Sequence, residues 1–220
     1  MSIYQFKRQF QNLLRPISQT LVARGVRANH ITVSAVVLSG GVAYMVAKRT
    51  QHSPMWWYAL PAGLFIRMAM NAIDGMMAKE HGQASHLGAV LNEAGDLLSD
   101  ALILSSLSPH LNHSNRHALY RVMALSTISE LVAIWTSIST GERANHGPLG
   151  KSDRALALGV LGVYLGTGLA LSQSRSHQLL IIAQLLLLKT IYNRTLVLGR
   201  NRKDTITMTQ SQEHNHRSQR

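Results

Sequence analysis

The 220-residue sequence has no cysteine. That excludes disulfides, thiolate catalysis and Cys-ligated zinc. Acidic residues are scarce: ten Asp and Glu stand against 22 Lys and Arg, giving a formal net charge of +12. Aromatics make up only 5% and do not alternate with the basic residues. The charge therefore does not read as a nucleic-acid surface, and anionic lipid headgroups are the partner it predicts. There is no internal repeat and no Gly-rich phosphate loop. The first 29 residues carry Lys7, Arg8, Arg15, Arg24 and Arg27 without a long apolar run. No cleavable signal peptide is expected from such an opening.

Long stretches almost free of charge fill the rest. Mean hydropathy is only +0.03, an average over apolar runs and basic ends. Residues 30–47 contain no Lys, Arg, Asp or Glu, and 54–73 carry Arg67 alone. Residues 87–107 are apolar apart from a few acids, and 117–138 carry Arg121 and Glu130. Residues 155–172 are uncharged, and 179–198 carry Lys189 and Arg194. Each run approaches the roughly 17–25 residues that cross a bilayer. The prediction is an all-α, polytopic helical bundle with six transmembrane helices. A soluble bundle of long core helices is the alternative, disfavoured by the uncharged 18-residue runs. Residues 1–29 read as an amphipathic surface helix, with Ile3, Phe6, Phe10, Leu13 and Leu14 at helical spacing among basic residues. Residues 30–198 form the six-span domain, and 199–220 a polar, basic tail expected to be disordered. His214 and His216 in that tail read as solvated. Basic residues concentrate in the N-terminal segment, around Arg143, Lys151 and Arg154, and in the tail. The excess predicts that both termini face the cytoplasm, together with the connection at 79–87; in a bacterium the membrane would be the inner one.

One segment brings oxygen donors onto two of these runs. Asn71 and Asp74 are three apart and share a helix face; Asn92, Asp96 and Asp100 step by four and share another. Gly82 and polar neighbours between them allow a turn. Two antiparallel helices would aim these amides and carboxylates at one point, an oxygen set that suits a hard divalent cation such as Mg²⁺. Gly75 and Ala78 lack bulk, so a ligand can approach the backbone beside the acids. Ionisable groups in membrane spans are costly and default to a functional reading. A carboxylate near the interface that merely reaches water is the plainer reading, and it leaves the small residues unexplained. Glu93 lies about 100° round the helix from Asn92 and reads as a neighbouring charge.

The spacing resembles the signature of the CDP-alcohol phosphatidyltransferase family, D-x2-D-G-x2-A-R-x8-G-x3-D-x3-D. Here Asn71, Asp74, Gly75, Ala78, Lys79, Gly88, Asn92 and Asp96 occupy its fixed positions. Asn replaces the first and third Asp, and Lys replaces Arg. The resemblance implies that Asn71, Asp74, Asn92 and Asp96 surround Mg²⁺ or Mn²⁺ over the diphosphate of a CDP-linked lipid. Asp96 would also be the catalytic base towards the acceptor hydroxyl. Gly75, Ala78, Lys79 and Gly88 would line the CDP pocket. Residues 28–32, Ala-Asn-His-Ile-Thr, resemble the family's P-N-x-[IL]-T helix start, which adds Asn29 and Thr32 to that pocket. Residues 147–154 resemble a basic loop that faces the acceptor, with Lys151 and Arg154 as its binding residues; as a flank of the fifth run they read equally as a topological signal. Glu130 and Lys189 are charges within runs, either paired or lining a cavity.

The reaction implied by the resemblance replaces CMP on a CDP-activated lipid alcohol by the hydroxyl of a second alcohol, in phospholipid biosynthesis. A homodimer is a further expectation. Two neutral amides where the family has acids halve the charge of the motif from four carboxylates to two. Two rival readings follow: a non-catalytic protein of the same fold that binds CDP-lipid or headgroups, and a transporter using the acids for an ion. The acids near a short turn, rather than at mid-span, weigh against the transporter.

Overall fold

The computed structural model describes the backbone of residues 3–140 and 147–218, and side chains within 8–140 and 147–197. Arg143, His214 and His216 lie outside the described side chains. The described chain is all-helical, in the order α1 (Ile3–Ala23), α2 (Ala28–Tyr44), α3 (Ala59–Glu80), α4 (His86–Ser105), α5 (His113–Thr140), α6 (Lys151–Gly166) and α7 (Gln173–Ser218). Each of the six apolar runs thus contains a helix. By length and composition, three segments suffice to cross a membrane: Ala28–Arg49, His113–Thr140 and Gln173–Val197. The first extends α2 through one wider turn, Met45–Arg49. The architecture is that of a membrane helical bundle. Large apolar side chains such as Val37, Trp135, Ile138 and Leu185 point outward, while Ser39, Ser99, Ser129 and Thr136 are buried. Apolar outside and small polar inside is the pattern that lipid, not water, favours.

The chain divides into two compact units. One comprises residues 1–112 and 155–172; the other comprises 113–154 and 173–220. The segment 30–198, read above as one domain, is therefore shared between them.

In the first unit, α3 and α4 both pack on α2. Small residues allow that approach. A Cβ on Gly95 would come within 3.1 Å of Val36 and 3.5 Å of Thr32, so α4 lies close to α2 there. Further along, Val42 and Val46 of the α2 segment form a core with Trp57, Leu60, Leu64 and Ile103. The N-terminal segment forms α1, which packs on α3, with the side chains of Ile3 and Phe6 outside those described. Leu14 is buried and Leu13 exposed, and Phe10 meets Phe65 edge-on. Gly25 ends α1 in the left-handed region (φ +77°), where Val26 N–H reaches back to the Leu21 carbonyl at 3.0 Å. Gly82 (φ +65°) makes the turn between α3 and α4.

In the second unit, α5 packs on α7. Buried Asn115 donates to the Gln173 carbonyl at 2.7 Å and to its side chain at 3.0 Å. The backbone of α7 continues to Ser218, through a tail whose composition predicts disorder. Extending an existing helix costs far less than nucleating one, and no proline interrupts residues 173–218.

Candidate functional site

The motif residues gather at the α2–α3–α4 end of the first unit. The turn itself ties the three helices together. Gln83 accepts from the Ala28 N–H at 2.7 Å, capping α2. Ser85 accepts from the Gly88 N–H at 2.9 Å, capping α4. Gly88 lies close to two side chains: a Cβ there would sit 2.9 Å from Asn29 Oδ1 and from Ser85 Oγ, so either would have to shift for a larger residue. The sequence-predicted Asn29 and Gly88 are therefore neighbours. Thr32, one turn further into α2, is buried and donates to Asp74 Oδ2 at 3.0 Å. This fixes the carboxylate of α3 against α2.

On α4, Asp96 Oδ1 accepts from Asn71 Nδ2 at 3.1 Å, which joins two of the four predicted ligand positions directly. Asn92 and Asp100 lie one turn to either side of Asp96 and are partly buried. Around Gly75 nothing approaches within 4 Å of a Cβ position, so the backbone beside Asp74 is open. Ala78 is partly buried, and Lys79 is exposed at the end of the same helix. The donor types that converge are carboxylate and amide oxygens, the chemistry of a hard cation. Among the described residues, however, no three His, Cys, Asp or Glu side chains converge as a ready metal site. The two asparagines account for that: they occupy ligand positions without adding charge.

Sequence reasoning missed Arg67. It is buried (5% exposed) and reaches from α3 to α4. Its NH1 lies 2.6 Å from Asp100 Oδ1, and its NH2 lies 3.1 Å from both Asp96 Oδ1 and the Asp96 carbonyl. The available signal was its position: Arg67, Asn71 and Asp74 recur at four and three residues, one helix face. Glu80, at the end of α3, is paired with Arg15 at 3.0 Å. The Arg15 guanidinium holds the Glu80 carboxyl below the usual carboxylate range.

The predicted acceptor residues lie in the second unit. Lys151 opens α6 and is partly buried. Arg154 is buried and donates through both NH1 and NH2 to Glu130 Oε1 at 3.2 Å. Arg194 meets the same oxygen at 3.3 Å and also bonds Ser129. Glu130 is therefore paired with two arginines, while Lys189 is exposed. Thr190, one turn before Arg194, accepts from the Leu149 N–H at 3.1 Å and anchors the basic loop to α7.

Comparison with known proteins places this geometry. The sequence matches the family model for CDP-alcohol phosphatidyltransferase over residues 26–191. It is 41% identical over 197 residues to the inner membrane protein YnbA of Escherichia coli (strain K12), covering 88% of this chain and 94% of that one. It is 29% identical over 101 residues to the phosphatidylinositol phosphate synthase of Mycolicibacterium smegmatis, covering 45% of this chain and 42% of that protein. The fold resembles crystal structures of phosphatidylinositol phosphate synthase PgsA1 from Mycobacterium tuberculosis. The structure with CDP-DAG bound gives a TM-score of 0.64 at 20% identity, over 84% of this chain and 92% of that one. The structure with manganese and citrate gives 0.65 at 20% identity, over 84% and 87%. A match spanning three quarters of the sequence, carried by the same helices that hold Asp74 and Asp96, makes this chain a member of the CDP-alcohol phosphatidyltransferase family, the CDP-lipid phosphotransferases of phospholipid biosynthesis.

Proposed function

We propose that the residues around Asp74 and Asp96 bind the CDP-linked lipid and that Lys151 and Arg154 bind the acceptor alcohol. The observation that carries the first half is the fixation of Asp74 and Asp96. Thr32 holds Asp74, and Asn71 and Arg67 hold Asp96, beside open backbone at Gly75. Carboxylates oriented in this way lose little conformational freedom when a ligand arrives. Asn29, Thr32, Gly75, Ala78, Lys79 and Gly88 bound the space for the CDP moiety, with Lys79 offering a phosphate a point charge. The PgsA1 structure with CDP-DAG supports a CDP-lipid as donor. Asp96 takes the proton of the attacking hydroxyl, the bond between phosphorus and CMP breaks, and a phosphodiester forms. Asp74 and Asp96, with oxygens of Asn71 and Asn92, would hold Mg²⁺ or Mn²⁺, whose charge offsets that of the diphosphate. The manganese in the PgsA1 relative supports that cofactor.

Lys151 and Arg154 would contact the acceptor, joined by Arg194 through Glu130. Two guanidinium groups meet at one Glu130 oxygen there. We further read six spans with both termini cytoplasmic, supported by the six helices and the basic flanks, in a bacterial inner membrane as in the Escherichia coli relative. Reporter fusions at Asn115 and Arg220 should then report opposite sides, and the same side for both sinks this topology. A homodimer is part of this reading.

The deciding experiment is CMP release from CDP-diacylglycerol by the purified protein in detergent, with Mg²⁺ or Mn²⁺ and a panel of acceptors: glycerol phosphate, inositol phosphate, serine and a second lipid. CMP release that needs one acceptor and the cation supports the transferase. Binding of CDP-diacylglycerol without CMP release in any combination favours the non-catalytic reading, to which the two asparagines lend weight.

A further inference from the structure

The start of α5 carries two histidines that the transferase reading does not use. His113 and His117 are four residues apart, so both rings leave one face of the helix. Both are exposed. Their Nε2 atoms lie 3.3 Å apart, and the rings stand edge-on with centroids 4.4 Å apart. Tyr120, one turn on, meets His117 edge-on at 6.5 Å. The opposite face of the same turn is anchored. Buried Asn115 donates to the Gln173 carbonyl at 2.7 Å and bonds His177 Nδ1 at 2.9 Å, which ties the start of α5 to the start of α7. The backbone that carries both rings is therefore held before any ligand arrives.

The separation of the two nitrogens has a chemical reading. Nitrogen donors in hydrogen bonds approach their acceptors within about 3.2 Å, so a direct bond between the rings is long. Two imidazole nitrogens on one tetrahedral ion stand about 3.3–3.4 Å apart, because each metal–nitrogen bond is about 2.0–2.1 Å. On a square-planar ion the same bonds would bring them to about 2.9 Å. The observed spacing is that of the tetrahedral case. Neutral imidazole suits zinc-class ions, whereas Mg²⁺ and Mn²⁺ favour oxygen. Among the described residues no third His, Asp or Glu joins the pair, so water or an outside ligand would complete the shell.

We propose that His113 and His117 form a two-histidine site for a tetrahedral zinc-class dication, made of residues other than the oxygen donors around Asp74 and Asp96. In the bound state both rings carry their proton on Nδ1 and both Nε2 lone pairs face the ion. The ring that held its proton on Nε2 changes tautomer, and no net proton is lost. The site does not rest on the transferase reading.

The test is Zn²⁺ titration of the full-length protein in detergent, stripped of metal and freed of any affinity tag, in competition with a chromophoric chelator. The wild type should bind a Zn²⁺ ion that a large excess of Mg²⁺ does not displace. His113→Gln and His117→Gln should each weaken binding at least about tenfold, since even the outer partners of a metal ligand are worth that much. His52→Gln, at an exposed histidine elsewhere, should leave it unchanged. So should His214→Ala with His216→Ala, which silences the tail. Co²⁺ in place of Zn²⁺ should give the strong visible absorption of tetrahedral coordination. Gel filtration checks that the variants fold; where one glutamine variant fails, the other and the wild-type Co²⁺ spectrum decide. Several results overturn the site and leave the two rings as a hydrogen-bonded pair: no saturable Zn²⁺ binding, displacement by Mg²⁺, loss of binding in the tail variant, a weak octahedral Co²⁺ spectrum, or wild-type affinity in the glutamine variants.

Discussion

The two units carry charge clusters of opposite sense built from the same parts. In the first, one buried arginine, Arg67, lies between two aspartates of α4. In the second, one buried glutamate, Glu130, lies between Arg154 and Arg194. A buried charge without a partner is expensive, so both clusters are paired. The sign of the central charge differs. The first cluster presents carboxylate oxygens around a guanidinium; the second presents two guanidinium groups around a carboxylate. Membrane-embedded chemistry thus does not need isolated charges.

The sharpest way to break this comparison is to remove the acids whose chemistry the first cluster serves. Asp74→Asn and Asp96→Asn are each expected to lower CMP release by at least about 100-fold, the lower range for lost acid–base catalysis. Near-normal rates in either variant would unseat its residue from the site.

The second cluster should break differently. Glu130→Ala leaves Arg154 and Arg194 facing each other in a buried position, and losing one partner of such a set costs about 3–5 kcal/mol. A clear drop in unfolding temperature in detergent is expected. Unchanged stability would mean that water or lipid phosphate already compensates the arginines. Lys151→Ala removes a charge at the start of α6 without touching the Glu130 pairing. It should raise the acceptor KM more than the donor KM, as when uniform binding is lost. Arg154→Ala should do the same and also destabilise, because Arg154 is tied to Glu130 at 3.2 Å. An unchanged acceptor KM in both variants would leave Lys151 and Arg154 as topological charges only.

These contrasts also mark what could be read from the sequence. Composition and run length sufficed for the helices, since 18 or more apolar residues in register leave few other structures in lipid. The turn at Gly82 was legible because its φ of +65° favours a residue without Cβ. Thr32 and Asn29 were found only through resemblance, and the structure brings them to Asp74 and Gly88. The arginines were not legible as partners. Arg67 pairs across 29 and 33 residues, and Glu130 across 24 and 64. Nothing local in a sequence encodes such distances. Glu130 and Lys189 were legible only as charges within runs, and among the described residues Lys189 is not a partner of Glu130. Lys189 lies five residues before Arg194, about 140° round the helix from that face, and is exposed.

A milder test sharpens the first cluster rather than breaking it. Asn71→Asp with Asn92→Asp restores two charges at ligand positions. Charge count tunes affinity for hard cations, so Mg²⁺ or Mn²⁺ should bind more tightly, by titration, than to wild type. Activity need not follow, because the proton acceptor Asp96 is unchanged. Equal affinity would mean that a neighbouring acid such as Glu93 already supplies the missing charge.

The smallest effect is expected where charge is exposed. Arg15 and Glu80 join α1 to the end of α3 at 3.0 Å, with both side chains about two-fifths exposed. Arg15 lowers the Glu80 pKa from its ordinary value of 4.5, first through the hydrogen bond and then through its charge. A carboxyl depressed in the folded state contributes its stability above the unfolded pKa. That contribution is lost as pH falls through the lowered folded value. The pair should therefore help hold α1 in place at neutral pH and cease to do so in acid. Screening by water and salt keeps the effect small. Glu80→Gln is expected to match wild type at pH values below the depressed pKa and to be slightly less stable at pH 7. Proteolysis or hydrogen exchange of α1, compared between the two proteins across that range, measures it. A difference that persists unchanged into acid would show that α1 is held by the packing of Leu14 and Phe10 and not by this pair.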